Sequence, residues 1–295
     1  MVSSFTVHVV SHFREDRVPV LATVLDGILG WKHCLTRTII TSNSDRYHSD
    51  GLIDRYAEYF AQRGHTLTLN IASGLANPRM LTWEHKKFLP RWVETASPEE
   101  DFFVYIEDDI ALSAANIACF LAHRRRLAKH GLIPGFVRYE RAADGRQLLV
   151  DVHAPEYWQH DRSCRIDGLL YHANANPYWA GYILDQAGAR EYMASPSFSP
   201  DASRAVCHWN IQERAAMGLT WEHPSSHLRS RVVVPMRDGL PDPDCMVWHA
   251  SNSYSETGHP VIAARTAAQL YRRESRPAWL ARKAAQFWAR LRRRP

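Results

Sequence analysis

The sequence lacks an apolar run long enough to cross a membrane. No window reaches the roughly 18 apolar residues that a spanning helix needs, although 45% of the 295 residues are hydrophobic. The opening stretch, MVSSFTVHVVSHFRED, has no basic segment ahead of its apolar residues, so we expect no secretory signal. This hydrophobic fraction, with 23% charged residues, is typical of a globular chain that can bury a sizeable core.

Cysteine is scarce, and its spacing matches no common framework. The chain has five cysteines, an odd number, and no C-x-x-C pair. That pattern indicates neither a set of disulfides nor a zinc ribbon. We therefore expect reduced thiols in a cytosol at all five positions, which are Cys34, Cys119, Cys164, Cys207 and Cys245.

Motifs that mark several enzyme classes are also missing. The sequence contains no G-x-S-x-G and no H-E-x-x-H, which disfavours a serine protease or a metalloprotease. It has no G-x-x-x-x-G-K-[ST] and no Gly-rich phosphate loop near its start, which counts against a nucleotidyltransferase.

The net excess of positive charge comes from one end of the chain. The formal net charge is +5, yet the last twenty residues, 276–295, hold seven Lys or Arg and no acid. The rest of the chain is therefore slightly acidic. A nucleic-acid-binding protein would present a basic face on its folded body, so we expect no nucleic-acid partner.

Apolar β-rich runs alternate with helical patterns, which is typical of an α/β fold with a largely parallel sheet. The first predicted strands span 5–12, 36–43, 65–73 and the run that begins at 102. The first predicted helices span 17–30, 50–64, a segment that Thr82 would N-cap, and 113–130. Two strands over 134–141 and 147–153, a loop rich in Asn and aromatics, and two helical stretches follow.

The stretch FFVYIEDDIAL, residues 102–112, ends an apolar strand with three acids. Ligands of open α/β sheets gather at such strand ends. In an extended segment Glu107 and Asp109 would point to one side and Asp108 to the other. Two carboxylates on one side suit Mg²⁺ or Mn²⁺. A solvated strand end, or an N-cap for the next helix, is the alternative interpretation.

The order of these features resembles the GT-A class of nucleotide-sugar glycosyltransferases, over roughly residues 5–255. The shared features are an acidic motif after a nucleotide-binding α/β half, an acceptor loop, a helix with an acid, and a late His. The resemblance implies one GT-A (Rossmann-like) domain with a mixed central sheet over 1–271. Its nucleotide-sugar half would be 1–112 and its acceptor half 113–271, with a basic tail at 272–295.

The resemblance also implies a divalent cation, Mn²⁺ or Mg²⁺, on the diphosphate of the donor. Asp109 would bind the ion, Glu107 would assist or contact the ribose, and His249 in MVWHASNSY would complete the shell. This sequence offers E-D-D where the class has a D-x-D-like motif. The remaining donor contacts would come from Ser11, His12, Arg14, Ser42, Asn43, Arg79, Lys86 and Asp108.

The predicted acceptor side has a base and a sugar-binding loop. Glu213, in CHWNIQERAAMGL, would accept the proton of the attacking hydroxyl in an inverting enzyme. The alternatives are a first-turn acid that stabilises its helix, or a retaining enzyme in which Glu213 is no base. The loop HANANPYWAGYIL would contact the acceptor sugar, although Trp179 could equally belong to the core. Its proposed contacts are Asn176, Tyr178, Trp179 and Tyr182.

The basic tail is amphipathic if it is helical. At about 100° per residue, Arg282, Arg292 and Arg293 lie opposite an apolar face formed by Leu280, Ala284, Phe287, Trp288 and Leu291. Such a helix suits an anionic membrane surface, so we expect a peripheral protein at the cytoplasmic face that acts on a lipid-linked glycan of the bacterial surface-polysaccharide type. The alternatives for the tail are a helix that docks its apolar face on the body or a partner, and a solvated basic end. For the whole chain, the alternatives are a nucleotidyltransferase or a non-catalytic glycan-binding scaffold.

Overall fold

The computed structural model describes residues 3–32, 34–98, 101–151, 162–174, 176–224, 228–257 and 265–271. The strands are β1 Ser3–Ser11, β2 Cys34–Ser42, β3 Thr66–Ile71, β4 Asp101–Glu107, β5 Ile110–Ala111, β6 Ile133–Pro134, β7 Val137–Arg141, β8 Gln147–Leu149, β9 Ser163–Ile166, β10 Leu169–His172, β11 Gly181–Asp185, β12 Val232–Arg237, β13 Leu240–Pro241 and β14 Met246–His249.

Ten α-helices are assigned within those ranges: α1 Val18–Leu29, α2 Arg46–Ser49, α3 Leu52–Ala61, α4 Leu89–Thr95, α5 Ala114–Ala128, α6 Gln186–Ala194, α7 Ser203–Val206, α8 Ile211–Ala215, α9 Ser253–Glu256 and α10 Ala267–Tyr271. Short 3-10 helices span Glu15–Arg17, Pro78–Phe88, Pro196–Phe198 and Pro243–Cys245. In the part of the chain that is described, no helix is both long and apolar enough to span a membrane.

The central sheet has five strands in the order β11-β4-β1-β2-β3. Strands β1 to β4 run parallel, and β11 pairs antiparallel with β4. The expected α/β architecture with a mixed central sheet is confirmed. Parallel strands joined through helices place their carboxyl ends at one edge, which is where Ser11, Ser42 and Glu107 lie.

Both faces of the central sheet are buried, because apolar residues occupy both sets of alternating positions in β4. Phe102, Val104 and Ile106 belong to the larger core cluster, which includes residues of α1, α3 and α5. Phe103 and Tyr105 belong to a second cluster, with residues of α4 and α6. A strand covered on both sides reads as a continuous apolar run, which β4 does until its acids.

Two smaller sheets complete the fold, with the orders β5-β14-β7-β8 and β13-β12-β10-β9. The first matters for the site, because β5 follows the acids directly and pairs with β14, in a register that sets Ile110 opposite His249. Strand β14 also lies parallel to β7. The late histidine is thereby brought to the end of β4.

Several expectations about local structure are wrong. The segment that Thr82 was expected to cap is the 3-10 helix Pro78–Phe88, and its cap is Asn77, whose side chain accepts the N–H of Arg79. The loop at 172–184 ends in a strand, β11, because Gly181 and the apolar residues after it pair with β4. The helix expected over 207–219 is only the five-residue α8.

The prediction of five reduced thiols is also wrong, because Cys119 and Cys245 form a disulfide. It joins α5 to the 3-10 helix that precedes β14. Cys34, Cys164 and Cys207 are free. The odd count and wide spacing concealed a pair that lies 126 residues apart. The predicted amphipathic tail, 276–295, lies outside the described residues.

Candidate functional site

A cleft of about 740 Å³ opens at the carboxyl end of β4. Its wall combines the loop after β1, the 3-10 helix Pro78–Phe88, the acids, the segment before β11, and the region of α8 and α9. Ten of the site residues predicted from the sequence line this cleft: His12, Arg14, Arg79, Glu107, Asp108, Asp109, Asn176, Tyr178, Glu213 and His249.

The three acids do not alternate as an extended strand would. Strand β4 ends at Glu107, and Asp108 and Asp109 form a turn before β5. We call these three residues, Glu107, Asp108 and Asp109, the acid turn. All three residues line the cleft, and Arg17 Nη1 lies near both Asp108 Oδ1 and Asp109 Oδ2, so the expectation that Asp108 points away from Asp109 is wrong. A turn at this point brings three carboxyl groups together where a continued strand would have separated them.

Asp108 is held from below by the end of β1. Its Oδ2 accepts the Ser11 hydroxyl at 2.6 Å, and Ser11 Oγ lies 2.5 Å from the hydroxyl of Tyr47. Burial, and then the charge of Asp109, raise the pKa of Asp108 to about 7. Ser11, a predicted donor contact, is fully buried and therefore supports the acid turn from beneath the cleft.

Asp109 lies between two cationic side chains. Its Oδ2 accepts from Arg17 Nη1 at 2.8 Å and lies 3.1 Å from His249 Nε2. Burial alone would raise the pKa of Asp109, but the hydrogen bonds and charges of these partners outweigh it and hold the pKa well below its usual range. Arg17 Nη1 is also 3.6 Å from Asp108 Oδ1, so one guanidinium serves both aspartates.

Glu107 belongs to a second buried cluster. Its Oε1 accepts the Tyr178 hydroxyl at 2.8 Å. Burial, followed by the charge of Asp109, raises the pKa of Glu107 to about 7. Arg138 lies against the Tyr178 ring, 4.8 Å from its centroid, and is paired with Asp151 at 2.7 Å. Tyr178 therefore links the acid turn to a buried ion pair.

His249 uses both ring nitrogens. Besides the contact of Nε2 with Asp109, Nδ1 lies 2.6 Å from Oε1 of the fully buried Glu140. Burial alone would lower the pKa of His249, but the hydrogen bonds to Asp109 and Glu140 raise it to about 9. His249 thus contacts the acid turn, and its imidazole lies between the carboxylates of Asp109 and Glu140.

The donor atoms at the acid turn fit a divalent cation in kind. Carboxylate oxygens and an imidazole are ligands that Mg²⁺ and Mn²⁺ accept, and Oδ1 of Asp109 is buried without a hydrogen-bond partner. Within the described ranges, however, no three His, Cys, Asp or Glu side chains form a group that could hold a metal ion. Arg17 already occupies Oδ2, so the side chains as they lie do not form a metal site.

Glu213 lies across the cleft on the first turn of α8. Its Oε2 accepts the backbone N–H of Asn210 at 3.0 Å, so the carboxylate caps its own helix. This is the structural role considered for it above, and it coexists with a place in the cleft wall. Trp209 stands beside it, 5.1 Å from the Tyr178 ring in an edge-to-face contact.

Six predicted site residues are not part of the cleft wall. Lys86 is buried, donates to the carbonyls of Ser197 and Phe198, and lies over the Trp83 ring, so it is not placed to contact a diphosphate. Two acceptor contacts are core residues. The full set is Ser11, Ser42, Asn43, Lys86, Trp179 and Tyr182.

Each of the other five predicted site residues that lie outside the cleft wall has a packing or hydrogen-bonding role that explains its position. Asn43 Oδ1 accepts the N–H of Phe13 and so fixes the loop after β1. Trp179 packs edge-to-face on Phe136, and the hydroxyl of Tyr182 lies 2.6 Å from His85 Nε2. An Asn- and aromatic-rich stretch indicates sugar binding only where its rings stay accessible, as that of Tyr178 does.

The sequence interpretation missed Arg17, Arg138, Glu140 and Trp209. Arg17 follows Arg14 in the loop after β1, a position that could have been recognised as part of the strand-end edge. Arg138 and Glu140 alternate with Val137 and Tyr139 along β7, and all four are buried. Charged residues inside a buried strand are a signal, because such groups stay inside only when paired.

Comparison with known proteins adds little to this geometry. No protein-family model matches the sequence, and no curated protein matches it. Part of the chain is similar to a solved structure, the apo-form glycosyltransferase GlyE of Streptococcus pneumoniae TIGR4, with a TM-score of 0.29 and 12% identity. The match covers 48% of this chain and 31% of that one, so the chain spans about a third of its length. A likeness this weak carries no argument about fold or function.

Proposed function

We propose that the cleft transfers a sugar from a nucleotide-sugar donor to a glycan acceptor. The observation that carries the proposal is that one cleft wall combines two unlike sets of side chains. The first set is the carboxylates of the acid turn with the arginines Arg14, Arg17 and Arg79. The second set is the rings of Tyr178 and Trp209 with the carboxylate of Glu213.

The first set suits a diphosphate. Arginine binds phosphate oxygens in pairs through its planar fork, and Arg79 is exposed on the helix Pro78–Phe88. A divalent cation is part of the proposal, with Asp109 as its ligand through the partnerless Oδ1, and Glu107 and His249 in assisting roles. When bound, such an ion neutralises the charge that a departing nucleoside diphosphate acquires.

The second set suits the sugars. Apolar C–H faces of a sugar ring pack on aromatic rings, and the Asn176 amide lies in the same wall to bond hydroxyls. In the proposed inverting reaction, the acceptor hydroxyl oxygen bonds to the anomeric carbon while the bond from that carbon to the diphosphate oxygen breaks. Glu213 accepts the proton of the hydroxyl, and the diphosphate leaves with the electron pair.

The direct test is a donor screen. Purified protein is incubated with UDP-, GDP- and CMP-sugars and a panel of glycan acceptors, with Mn²⁺ or with a chelator. We expect transfer from one donor class that the chelator abolishes, with inversion at the anomeric carbon by proton NMR. Asp109→Asn should lose at least about 100-fold in turnover. Nucleotide release without a glycosylated product would point to hydrolysis, and absence of both turnover and nucleotide binding to a scaffold.

The acceptor is proposed to be a lipid-linked glycan of the bacterial surface-polysaccharide type. The support is compositional: residues 276–295 combine seven basic residues with Trp and Phe, and each cation near an anionic leaflet contributes about 1 kcal/mol. The proposed location is peripheral, at the cytoplasmic face. Vesicle flotation of the full chain against a chain that ends at Glu274 tests it, and equal recovery with anionic vesicles would contradict it.

A further inference from the structure

A second cavity, of about 580 Å³, lies at the edge of the central sheet opposite the cleft. Its wall comes from the end of α1, the start of β2 and the turn between α3 and β3. Cys34 in this wall pairs with Ser3 at the start of β1, whereas the cleft residue His12 follows the end of that strand. The nine residues of β1 therefore separate the two cavities by roughly 25 Å of extended chain.

The wall of this second cavity is basic and contains no carboxylate. Lys32, Arg63 and His65 line it, and no Asp or Glu does, so we call it the basic cavity. Among the described residues, neither Lys32 nor Arg63 has a carboxylate within 4.0 Å. The positive charge at this edge of the sheet is thus not neutralised by any neighbouring side chain that the structure describes.

Helix capping accounts for only part of this charge. Arg63 Nη1 donates to the carbonyl of Leu29, the last residue of α1, at 3.0 Å. Such a bond satisfies a free carbonyl at the end of a helix, and a cation there also interacts favourably with the helix dipole. The remaining N–H groups of Arg63 and the ammonium of Lys32 have no hydrogen-bond acceptor in the described part of the chain.

His65 adds a directed donor to the same wall. Its side chain is buried, with 6% of the residue exposed, and Nδ1 accepts the backbone N–H of Thr36 at 3.2 Å. Burial, and then the charge of Arg63, lowers the pKa of His65, so the ring is neutral at neutral pH. With Nδ1 as an acceptor, the neutral ring carries its proton on Nε2. No described residue accepts that N–H, which leaves it for a ligand.

Apolar side chains complete the basic cavity. Leu35 is 52% exposed, the largest exposed fraction among the large hydrophobic residues described. Trp31 also lines the cavity, and its only polar group is used elsewhere, because Nε1 donates to the carbonyl of Leu112. Burial raises the pKa of the Cys34 thiol to about 11, so this thiol is uncharged at neutral pH. A complementary ligand therefore has an anionic end and an apolar part.

We propose that the basic cavity binds an organic phosphate, whose phosphate group is held by the three basic side chains and whose apolar part packs on Leu35. Phosphate oxygens accept hydrogen bonds from an ammonium, a guanidinium and an imidazole N–H alike. A volume of about 580 Å³ lies within the range of about 300 to 1,000 Å³ that is usual for small-molecule sites. This site is separate from the cleft and does not depend on the proposed reaction.

The experiment follows the histidine rings of the full chain by NMR, after labelling with ¹⁵N-histidine. Phenyl phosphate is the probe, and phenol and inorganic phosphate represent its two halves. The variants are Lys32→Gln and His65→Asn, in which the Asn oxygen can still accept the Thr36 N–H but Nε2 is lost. Arg55→Gln is the matched control, because Arg55 is an exposed arginine of α3 outside the cavity wall. Calorimetry gives each Kd, and thermal unfolding confirms that each variant folds.

We expect phenyl phosphate to shift the Nε2 resonance that disappears in His65→Asn, and to bind more tightly than phenol or inorganic phosphate. Lys32→Gln and His65→Asn should each weaken its binding by about tenfold, and Arg55→Gln should match wild type within about twofold. The proposal is overturned by absence of phenyl phosphate binding, by an unchanged affinity in Lys32→Gln or His65→Asn, or by phenol or inorganic phosphate binding as tightly.

A free phosphate ester and the headgroup of phosphatidic acid share this chemistry, and vesicle flotation distinguishes them. Lys32→Gln and Arg55→Gln each lose one positive charge and keep the same basic tail, so they are compared on vesicles of phosphatidic acid and phosphatidylcholine. Lower recovery of Lys32→Gln supports a lipid headgroup in the basic cavity. Equal recovery of the two variants, with phenyl phosphate binding as expected, supports a free ester. Neither measurement requires sugar transfer.

Discussion

Glu140 and His249 lie on the adjacent parallel strands β7 and β14, and their side chains meet with 2.6 Å between Glu140 Oε1 and His249 Nδ1. Glu140 is fully buried and also accepts backbone N–H groups of Tyr254 and Ser255. This carboxylate orients the imidazole, and the orientation aims Nε2 at Asp109. The same pairing makes His249 a protonated partner of the acids at neutral pH.

Glu140→Gln should lower the pKa of His249, because the raised value of about 9 depends on the contacts with Asp109 and Glu140. We expect a fall of about one unit or more, measured by NMR titration of the histidine ring protons. The contribution of protonated His249 to the free energy of unfolding is fully present below pH 6.5, the pKa of this residue in the unfolded chain. That contribution is lost as the pH rises through about 9, its pKa in the folded protein. The variant should therefore lose stability chiefly below pH 9.

The control for this titration is Glu256→Gln, which removes an exposed carboxylate from the neighbouring helix α9. Its His249 resonance should titrate as in wild type. If Glu140→Gln left the pKa near 9, the pairing seen in the structure would not be the cause of the shift.

Glu213→Gln separates the catalytic role of this residue from its capping role. Glutamine keeps an oxygen that can accept the N–H of Asn210, as Glu213 Oε2 does at 3.0 Å. The free energy of unfolding should stay within about 0.5 kcal/mol of wild type. Transfer should fall by about 100-fold or more, because an amide cannot accept the acceptor proton. Urea unfolding and product formation measure the two effects.

Glu213→Ala is the companion variant, since it removes the cap as well as the proposed base. It should lose the same activity and, in addition, roughly 0.5 to 1 kcal/mol of stability. Wild-type turnover in Glu213→Gln, or a product that retains the anomeric configuration of the donor, would leave only the capping role.

Local patterns in the sequence predict the four parallel strands. Neighbours such as Phe103 and Val104 are buried on opposite faces of the sheet, so the strand appears in the sequence as an unbroken apolar run. The same pattern locates the acids at the carboxyl edge of the sheet. What it cannot predict is pairing across the chain. Arg17 contacts Asp109, which lies 92 residues away in the sequence, and Glu140 contacts His249, which lies 109 residues away. Such contacts depend on strand order, which residue spacing does not encode.

Lys86 shows the other limit of sequence interpretation. A lysine in ANPRMLTWEHKK is expected at the surface, and composition gives no reason to bury it. In the structure its ammonium is enclosed by aromatic rings, 3.7 Å from the centroid of Trp83, and bonded to two carbonyls. Part of that environment comes from residues more than 100 positions away, Ser197 and Phe198.

The disulfide between Cys119 and Cys245 should contribute substantially to stability. It closes a loop of 126 residues, for which the entropy of the unfolded chain gives about 4 to 5 kcal/mol. A reductant should lower the urea midpoint of wild type, and a Cys119→Ser/Cys245→Ser variant should start lower and ignore the reductant. Thiol titration in denaturant should find three free cysteines; five would contradict the disulfide.

The state of this disulfide also bears on location. Disulfides persist in oxidising compartments and are rare in a reducing cytosol, which stands against the expectation of reduced thiols from which the cytoplasmic proposal began. Thiol labelling in intact cells, followed by denaturation, would report whether the pair is oxidised where the protein works.

The buried His8 should make the stability of the folded protein sensitive to acid, independently of the cleft. The ring lies fully buried in β1, stacked 4.7 Å from Phe103, and neither nitrogen has a hydrogen-bond partner. Burial, assisted by the charge of Arg37, lowers the pKa of His8 to about 3. The folded protein therefore needs this ring neutral, whereas the unfolded chain protonates it at about 6.5.

Because of this difference in pKa, His8 lowers the free energy of unfolding only in acid. Above pH 6.5 it has no effect, and from pH 6.5 down towards pH 3 the free energy of unfolding falls by up to about 1.4 kcal/mol per pH unit. Between pH 7.5 and pH 5 the loss from His8 should be about 2 kcal/mol. His8→Phe should remove that loss, measured as the difference between urea unfolding free energies at the two pH values, so that any packing change cancels. His130→Gln, at an exposed position, should leave the difference unchanged, and an unaltered difference in His8→Phe would show that another group is responsible.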